Sequence, residues 1–502
     1  MTGSLNTEWM ARHRAVPLTA LLTTTNFLVV FDGLVVTVAL PAVQRSFDLG
    51  QAGTQWVMTA YTLPLGGVLL LGGRCSDRYG RRPVLITGLG LFVAGLLLAG
   101  LAPNTSLLLA GRTLQGGGAA LAVPTSFAII SARKTASDRN RLFAAVAVAG
   151  GLGAACGAVI GGIVTQGLGW RYVFLLSVPV ALLAVLMTPR LLDAEPAPAR
   201  NGRLDLPGAA LSMTGLMLLV FAVTNTESAG LVSVSTFGPL ALSAIAFAAF
   251  FLHERRTEAP LLRISILRLS SFRTAALAMP ANEFAYQGSV FIGLLFFQQA
   301  LGYSPLGAGL AFSPLGLVVL LGSSVANRLL HRYRWTVIAA GAQFVSAAGL
   351  GLLAIAGPES AYLPHILPSL LILGLGTVVG AVAFNVAAGK DVSAKDKGVG
   401  YGVFETAKYV AGVFAVAGLG SIAAARANSA GTADHVSALT AGYQLAFAVA
   451  AIIAFLGGAL VTLLGESPGL KRSPPNHSAV EGSADNQGPS AHAPGNTRKG
   501  KR

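Results

Sequence analysis

Residues 27–41 read FLVVFDGLVVTVALP and place one carboxylate, Asp32, inside an apolar run that begins near Pro17. As a helix, about 20 apolar residues span the hydrocarbon core of a bilayer, and a carboxylate at the centre costs roughly 2.5–3.5 kcal/mol. Ionisable residues kept at this depth are typical of functional sites. We therefore predict that Asp32 binds and releases a proton. The alternative is an Asp that is paired permanently with a basic residue or caps a helix break beside Gly33.

The whole chain has the composition of a polytopic membrane protein, because 53% of its 502 residues are hydrophobic and 11% are charged. A soluble chain of that composition would have little polar surface. Apolar runs between charged or Pro/Gly-rich breaks predict fourteen helical spans, and hence an all-α membrane protein. The predicted spans are 17–40, 54–73, 83–102, 106–131, 142–166, 171–189, 205–226, 232–252, 273–299, 306–327, 335–357, 364–388, 399–422 and 439–464.

The basic residues are distributed asymmetrically about these spans. With the N-terminus inside, the inner segments contain most of the 35 Lys and Arg residues, whereas the outer loops contain Arg45, Arg171 and Arg426. This asymmetry predicts a multi-pass protein of the cell membrane with both termini in the cytoplasm. It also accounts for the net charge of +15, since anionic membrane lipid is a sufficient partner and nucleic acid is not needed. Cys75 and Cys156 lie at an inner loop and within a span, so we predict no disulfide.

The link after the second span reads GGRCSDRYGRRPVL at residues 72–85. It resembles the loop signature G-x-x-x-D-x-x-G-R-R/K of the major facilitator superfamily of membrane transporters. The resemblance implies a gating loop that latches two helix bundles together when the cytoplasmic gate is shut. The residues of this gating loop are Gly73, Asp77, Gly80, Arg81 and Arg82. The same basic residues also anchor the link on the inner side of the membrane.

The fourth span opens with GRTLQGGGAA at residues 111–120, which is similar to the family's R-x-x-Q-G-x-G-A-A. Arg112 lies about six residues and Asp32 about nine residues from the outer ends of their helices, so at 1.5 Å per residue their depths are close. We predict that they form an ion pair in a water-lined cavity that also includes Gln115, and that Asp32 takes up a proton when the pair breaks. The alternative is that Arg112 snorkels to the outer surface.

The fifth span contains Gly153, Gly157 and Gly161 at i, i+4 and i+8. Small residues at this spacing let two helices approach closely, so we predict a helix-packing surface. The segment resembles the antiporter signature G-x-x-x-G-P-x-x-G-G, but Ala158 stands in place of the proline. We expect the packing surface to remain and the fixed kink to be absent, which weakens the motif as an argument for export over import.

Three further segments resemble the fourteen-helix drug:proton antiporters of the same superfamily. They are residues 31–41, WRYVF at 170–174 followed by Pro179, and FFQQALGYSPLGAG at 296–309. The resemblance implies the major facilitator fold with two six-helix bundles plus an extra two-helix hairpin. The expected order is a cytoplasmic N-tail (1–16), a first bundle (17–190), a linker (191–204), the hairpin (205–252), a second linker (253–272), a second bundle (273–464) and a disordered C-tail (465–502).

The second bundle carries its own ionisable residues within predicted spans. Glu283 lies near the midplane of the first helix and Gln287 follows one turn later, so we predict that both line the substrate cavity together with Gln298, and that Glu283 takes part in proton coupling. The alternative is a Glu283 held permanently by Lys408. Glu405 lies three residues before Lys408 on the same helical face. Either these two neutralise each other, or Glu405 is a second proton-coupling or cavity residue.

These features predict a monomeric secondary transporter that exports a hydrophobic or cationic drug in exchange for protons. Its energy source is the proton gradient, and we expect no cofactor and no metal. One alternative keeps the fold but imports a nutrient, or transports a specific metabolite, lipid or siderophore. A membrane enzyme is disfavoured because the seven histidines are scattered over tails and loops and no nucleophile motif is present.

Overall fold

The computed structural model describes residues 2–133, 135–193, 205–229, 233–257, 268–390, 392, 397–429 and 435–465. Within these ranges the chain is almost entirely helical, as expected for a membrane-spanning chain whose backbone must satisfy its own hydrogen bonds. The predicted linkers fall largely outside them, at 194–204 and 258–267, and the predicted C-tail does so from residue 466.

The described residues form sixteen α-helices. They are α1 (Thr2–Phe47), α2 (Gln51–Tyr79), α3 (Arg81–Gly100), α4 (Thr105–Ser131), α5 (Ala136–Gly167), α6 (Arg171–Leu175), α7 (Ser177–Leu191), α8 (Leu206–Ala229), α9 (Val234–Arg256), α10 (Ser270–Glu283), α11 (Ser289–Leu295), α12 (Pro305–Arg332), α13 (Trp335–Ala354), α14 (Leu367–Lys390), α15 (Lys397–Ser429) and α16 (His435–Leu464). We call the side on which α1 begins the N-terminal side and the opposite one the distal side.

Thirteen of the described helices are long and apolar enough to cross a membrane. The predicted span at 273–299 is present in shorter pieces, because α10 continues through a π-helical turn (Phe284–Gly288), α11 and a second π-helical turn (Phe296–Ala300). Such π turns are frequent at functional sites. The predicted count of fourteen is thus roughly matched, and the interrupted helix is the one that carries Glu283 and Gln287.

The predicted gating loop is mostly helix. Gly80 alone separates α2 from α3, and its φ of 89° is one that glycine adopts without strain. Gly73 and Asp77 lie on the last turns of α2, with Asp77 exposed, and Arg81 and Arg82 begin α3. The sequence predicted a loop between the spans 54–73 and 83–102, and this is wrong, because α2 continues as a helix well past its last apolar residues.

In the first half of the chain, α1 packs along α5, and α4 packs against both α2 and α3. The three glycines of α5 face α1. A Cβ added at Gly153 would lie 2.9 Å from the Phe27 carbonyl oxygen, and one added at Gly161 would lie 3.0 Å from Cα of Val35. Gly157 lies between them against Leu34 in the same way. Helices α1 and α5 consequently meet nearly backbone to backbone.

In the second half, α13 packs against α14 and α16, and α10 packs against α14, α15 and α16. The two halves meet along two seams, one between α2 and α15 and one between α5 and α12. In the α5–α12 seam, Gly309 lies directly against the carbonyl group of Ala158, and Gly316 lies against Ala155. The position that departs from the antiporter signature is therefore a contact between the halves.

Helices α8 and α9 form a hairpin beside the α2–α15 seam. Met213 of α8 lies against Gly67 of α2, and Val220 of α8 packs with Val413 and Ala417 of α15. Since α8 contacts both sides of the seam, the hairpin covers it on one flank. This agrees with a hairpin outside the remaining helices, although the predicted domain boundaries stay a prediction.

Candidate functional site

The predicted ion pair between the first and fourth spans is present. Nη1 of Arg112 on α4 donates to Oδ2 of Asp32 on α1, and both side chains are 0% exposed. Gln115, one turn along α4, donates from Nε2 to Asp32 Oδ1 at 3.0 Å and accepts from Arg112 Nη1 at 3.2 Å. The closed triangle satisfies both carboxylate oxygens, as a buried charge requires. Arg112 does not snorkel to the surface in this state.

Helices α2 and α6 complete the surroundings of Arg112. Its Nε donates to the Val57 carbonyl oxygen at 3.1 Å, and its Cζ lies 4.3 Å from the centroid of the Tyr61 ring and 5.9 Å from that of Phe174. The guanidinium is thus stacked on a tyrosine, a favourable contact for a desolvated cation. Nη2 of Arg112 is buried and has no hydrogen-bond partner among the described residues.

A central cavity of about 280 Å³ lies between the two halves of the chain. Apolar side chains and a few polar ones line it, which is typical of a small-molecule site. The apolar and aromatic residues include Val29, Met58, Tyr61, Tyr286, Phe291 and Tyr409, and the polar ones include Thr37, Glu283, Gln287, Asn385 and Lys408.

The cavity contains charged groups from two helices. Glu283 of α10 is 7% exposed and lines the cavity immediately before a π-helical turn. Lys408 of α15 lines it as well, but its ion pair is with Glu405, whose Oε2 lies 2.5 Å from Lys408 Nζ. The sequence left open whether Lys408 pairs with Glu405 or with Glu283. In this state Lys408 pairs with Glu405 and forms no ion pair with Glu283.

The structure separates the residues predicted to line the substrate cavity. Glu283 and Gln287 line it, whereas Asp32 and Gln115 are fully buried and are not part of its wall. Glu405 lies beside the wall as the partner of Lys408.

Gln298 lies at the distal side, outside the central cavity. Its Nε2 donates to the Val38 carbonyl oxygen at 3.0 Å, while Gln299 donates to Oε1 of Gln44 at 2.9 Å and accepts from the Tyr443 hydroxyl at 2.5 Å. These residues line a separate distal cavity of about 480 Å³. We call Gln44, Gln298, Gln299 and Tyr443 the distal plug, because their hydrogen bonds tie α1 to the second half at that end.

Sequence reasoning did not single out Tyr61, Tyr286 or Tyr409 of the cavity wall. The available signal was a tyrosine inside an otherwise apolar span, since a hydroxyl at that depth needs a partner. No group of three or more His, Cys, Asp or Glu side chains that could hold a metal occurs in the described part of the chain.

Comparisons with known proteins agree with this geometry. The family model of the Major Facilitator Superfamily matches residues 22–416. The puromycin resistance protein pur8 of Streptomyces alboniger is 37% identical over 412 residues, which cover 81% of each chain. The cephamycin export protein CmcT of Amycolatopsis lactamdurans is 36% identical, covering 78% of this chain and 82% of its own. The multidrug resistance protein Stp of Mycobacterium tuberculosis is 30% identical, covering 80% of this chain and 74% of its own.

A solved structure supports the fold alone. The crystal structure of an auto-inhibited POT family peptide transporter superposes with a TM-score of 0.67 at 16% identity, covering 92% of this chain and 99% of that one. Together with the family model and the relatives, this similarity shows that the chain belongs to the Major Facilitator Superfamily.

Proposed function

We propose that this protein is a drug efflux transporter that exports a hydrophobic or cationic compound across the cell membrane in exchange for protons. The export of a toxic compound is supported by the relatives, which include resistance and export proteins. Proton exchange is our own extension, and the observation that carries it is the fully buried triangle of Asp32, Arg112 and Gln115 beside a central cavity.

The triangle determines how a proton reaches the carboxylate. The two oxygens of Asp32 accept hydrogen bonds from Arg112 and from Gln115, and both bonds stabilise the charged form of the carboxylate. Since all three side chains are buried, a proton reaches Asp32 only through a local opening of the structure. For a neutral compound one proton is energetically sufficient, because one charge crossing 100 mV gains about 2.3 kcal/mol and a tenfold substrate gradient costs about 1.4 kcal/mol. For a monovalent cation a one-for-one exchange moves no net charge, and the pH gradient drives it.

The cavity wall fits a compound with an apolar body and a positive group. Glu283 supplies a carboxylate whose charge is not shared with Lys408 through a direct ion pair, because Lys408 is bound to Glu405. The rings of Tyr286, Tyr409 and Phe291 provide apolar surface and can stack on a cation. Glu283 is therefore the residue that we assign to the positive group of the substrate.

The orientation follows from the basic residues, as do the lipid contacts. We place the N-terminal side in the cytoplasm because the basic gating residues Arg81 and Arg82 lie there, next to anionic lipid. On this orientation the distal plug closes the outer end of the cavity. We also propose a monomer, and a latch role for Asp77 when the inner end closes.

The test is Asp32→Asn in proteoliposomes with an imposed pH gradient. The transported compound is first chosen from a growth panel of expressing cells exposed to cationic and neutral toxins. We expect Asp32→Asn to abolish substrate-driven proton release. The matched control is Asp48→Asn. Asp48 is exposed and follows the distal end of α1, and asparagine tolerates its φ of 51° as aspartate does. Undiminished proton release from Asp32→Asn would remove Asp32 from the mechanism.

The same vesicles determine the direction of transport. The alternative, import or transport of a specific metabolite on this fold, is favoured by one observation: Ala158 leaves α5 without the proline of the antiporter signature. Accumulation of the compound on the side that receives the protons, or growth resistance limited to one metabolite class, would select that alternative.

A further inference from the structure

Tyr61 lies between the central cavity and the buried ion pair. Tyr61 is 2% exposed and forms part of the cavity wall, and its ring stacks on Arg112, whose Cζ lies 4.3 Å from the ring centroid. The hydroxyl donates to the carbonyl oxygen of Val29, at 3.1 Å. Val29 lies one helical turn before Asp32, so this single side chain connects α1, α2 and α4 at the site.

These contacts make Tyr61 a cover over the carboxylate. Asp32, Arg112 and Gln115 are each 0% exposed and do not line the cavity, which is large enough for several waters and has Tyr61 in its wall. Nη2 of Arg112 is buried without a partner in the described part of the chain. A buried donor of this kind is commonly satisfied by water, so the space behind the ring has a polar group ready for water once the ring moves.

A second argument comes from the placement of the pair. Asp32 and Arg112 are on α1 and α4, which both belong to the first half of the chain, so rocking of one half against the other does not by itself separate them. A local event must uncover Asp32. Rotation of the Tyr61 ring breaks its hydrogen bond to Val29 of α1 and its stacking contact with Arg112 of α4. Both contacts lie next to Asp32.

We propose that Tyr61 is a positioning residue that controls access of protons from the central cavity to Asp32. Its closed position prevents proton exchange while the cavity is empty, and its displacement by a compound in the cavity permits exchange. This inference rests on the proposed function. The ionisable groups that face Asp32 in the described structure are Arg112 of α4 and Tyr61 itself, with Tyr409 of α15 near Tyr61.

The first experiment measures the accessibility of Asp32 directly. The purified full-length protein, without any transported compound, is treated with a hydrophobic carbodiimide, and modification of the Asp32 and Glu283 peptides is measured by mass spectrometry. Glu283 lines the cavity and serves as the internal control. We expect Tyr61→Phe to increase the rate at Asp32 about fivefold, the change expected from one ordinary hydrogen bond, with the rate at Glu283 unchanged. Tyr61→Ala should increase it further.

The second experiment measures proton leak into proteoliposomes, again without a transported compound. We expect Tyr61→Phe and Tyr61→Ala to leak more than the parent protein, and Tyr61→Ala combined with Asp32→Asn to return to the parent rate. The matched control is Tyr362→Phe, which removes a hydroxyl bond of the same kind, to the Ala311 carbonyl oxygen at 2.7 Å, away from the site.

The outcomes separate this inference from the proposed function. Parent-like labelling and leak in Tyr61→Phe, or a leak that persists in the double variant, would overturn the role of Tyr61 while Asp32→Asn still abolished exchange. If Tyr61→Ala does not fold, Tyr61→Phe alone decides. Intact exchange in Asp32→Asn would instead reject the proposed function, whatever the Tyr61 variants do.

Discussion

Removing one member of the buried ion pair is expected to destabilise the protein strongly, whereas replacing both with neutral residues is expected to cost much less than the sum. Asp32 and Arg112 are each 0% exposed, so a variant that keeps one of them leaves a charge without its partner in a dry site. Breaking such a pair typically costs about 3–5 kcal/mol. We therefore expect about that loss for Asp32→Asn and for Arg112→Gln.

The double variant retains two amides at positions where Gln115 and the Val57 carbonyl group still offer hydrogen bonds. Its cost should be close to that of one single variant, which gives a coupling free energy of roughly 3–5 kcal/mol. The assay is a double-mutant cycle, with the free energy of unfolding measured by denaturant titration in mixed detergent micelles.

The chain offers a control cycle of the same charge type. Glu405 and Lys408 form an ion pair on one helical face, but their side chains are 12% and 25% exposed beside the cavity. We expect a smaller coupling, about 1 kcal/mol, for Glu405→Gln with Lys408→Gln, because both side chains keep some exposed surface. If the Asp32–Arg112 cycle is additive, or no larger than this control, the pair is not the buried and tightly coupled unit that the mechanism requires.

Two further predictions address the cavity and the seam. Glu283→Gln should raise KM for cationic compounds roughly 10- to 100-fold, because one charge-assisted contact is lost. KM for neutral compounds of similar size should be nearly unchanged. Equal effects on both kinds of compound in transport assays would reject the assignment of Glu283 to the positive group. Gly309→Ala should slow transport and lower the free energy of unfolding by about 1–3 kcal/mol, because its Cβ would overlap the Ala158 carbonyl group. The control Gly341→Ala, whose Cβ meets open space, should behave as the parent protein in the same transport assay and denaturant titration.

Much of the fold follows from the sequence, because hydrophobic length predicts membrane spans directly. The exceptions have identifiable causes. Helix α2 extends past its apolar part to Gly80, since a helix continues into water when no residue stops it. The π-helical turns after Glu283 change which way later residues face, and no residue type predicts such a turn reliably.

The candidate site was predicted in part. Counting residues from the helix ends placed Asp32 and Arg112 at similar depth, and the structure brings them together. Depth does not determine which face of an apolar helix points to the cavity, so the position of Asp32 behind Tyr61 was not predictable. Gln298 was assigned to the cavity by residue type, although it lies near the distal end of its span and belongs to the distal plug.

The Asp32–Arg112 and Glu405–Lys408 pairs differ in how they respond to movements of the helices. Glu405 and Lys408 lie three residues apart on α15, so no movement between helices separates them, and they can remain paired through a whole transport cycle. The Asp32–Arg112 pair joins two helices, and the Tyr61 side chain from a third helix covers it. It therefore responds to small displacements among α1, α2 and α4, which the cavity contents can cause through Tyr61. This difference is the physical reason for placing proton exchange at the Asp32–Arg112 pair. Because Lys408 stays paired with Glu405, the Glu283 carboxylate is left to bind the positive group of the substrate.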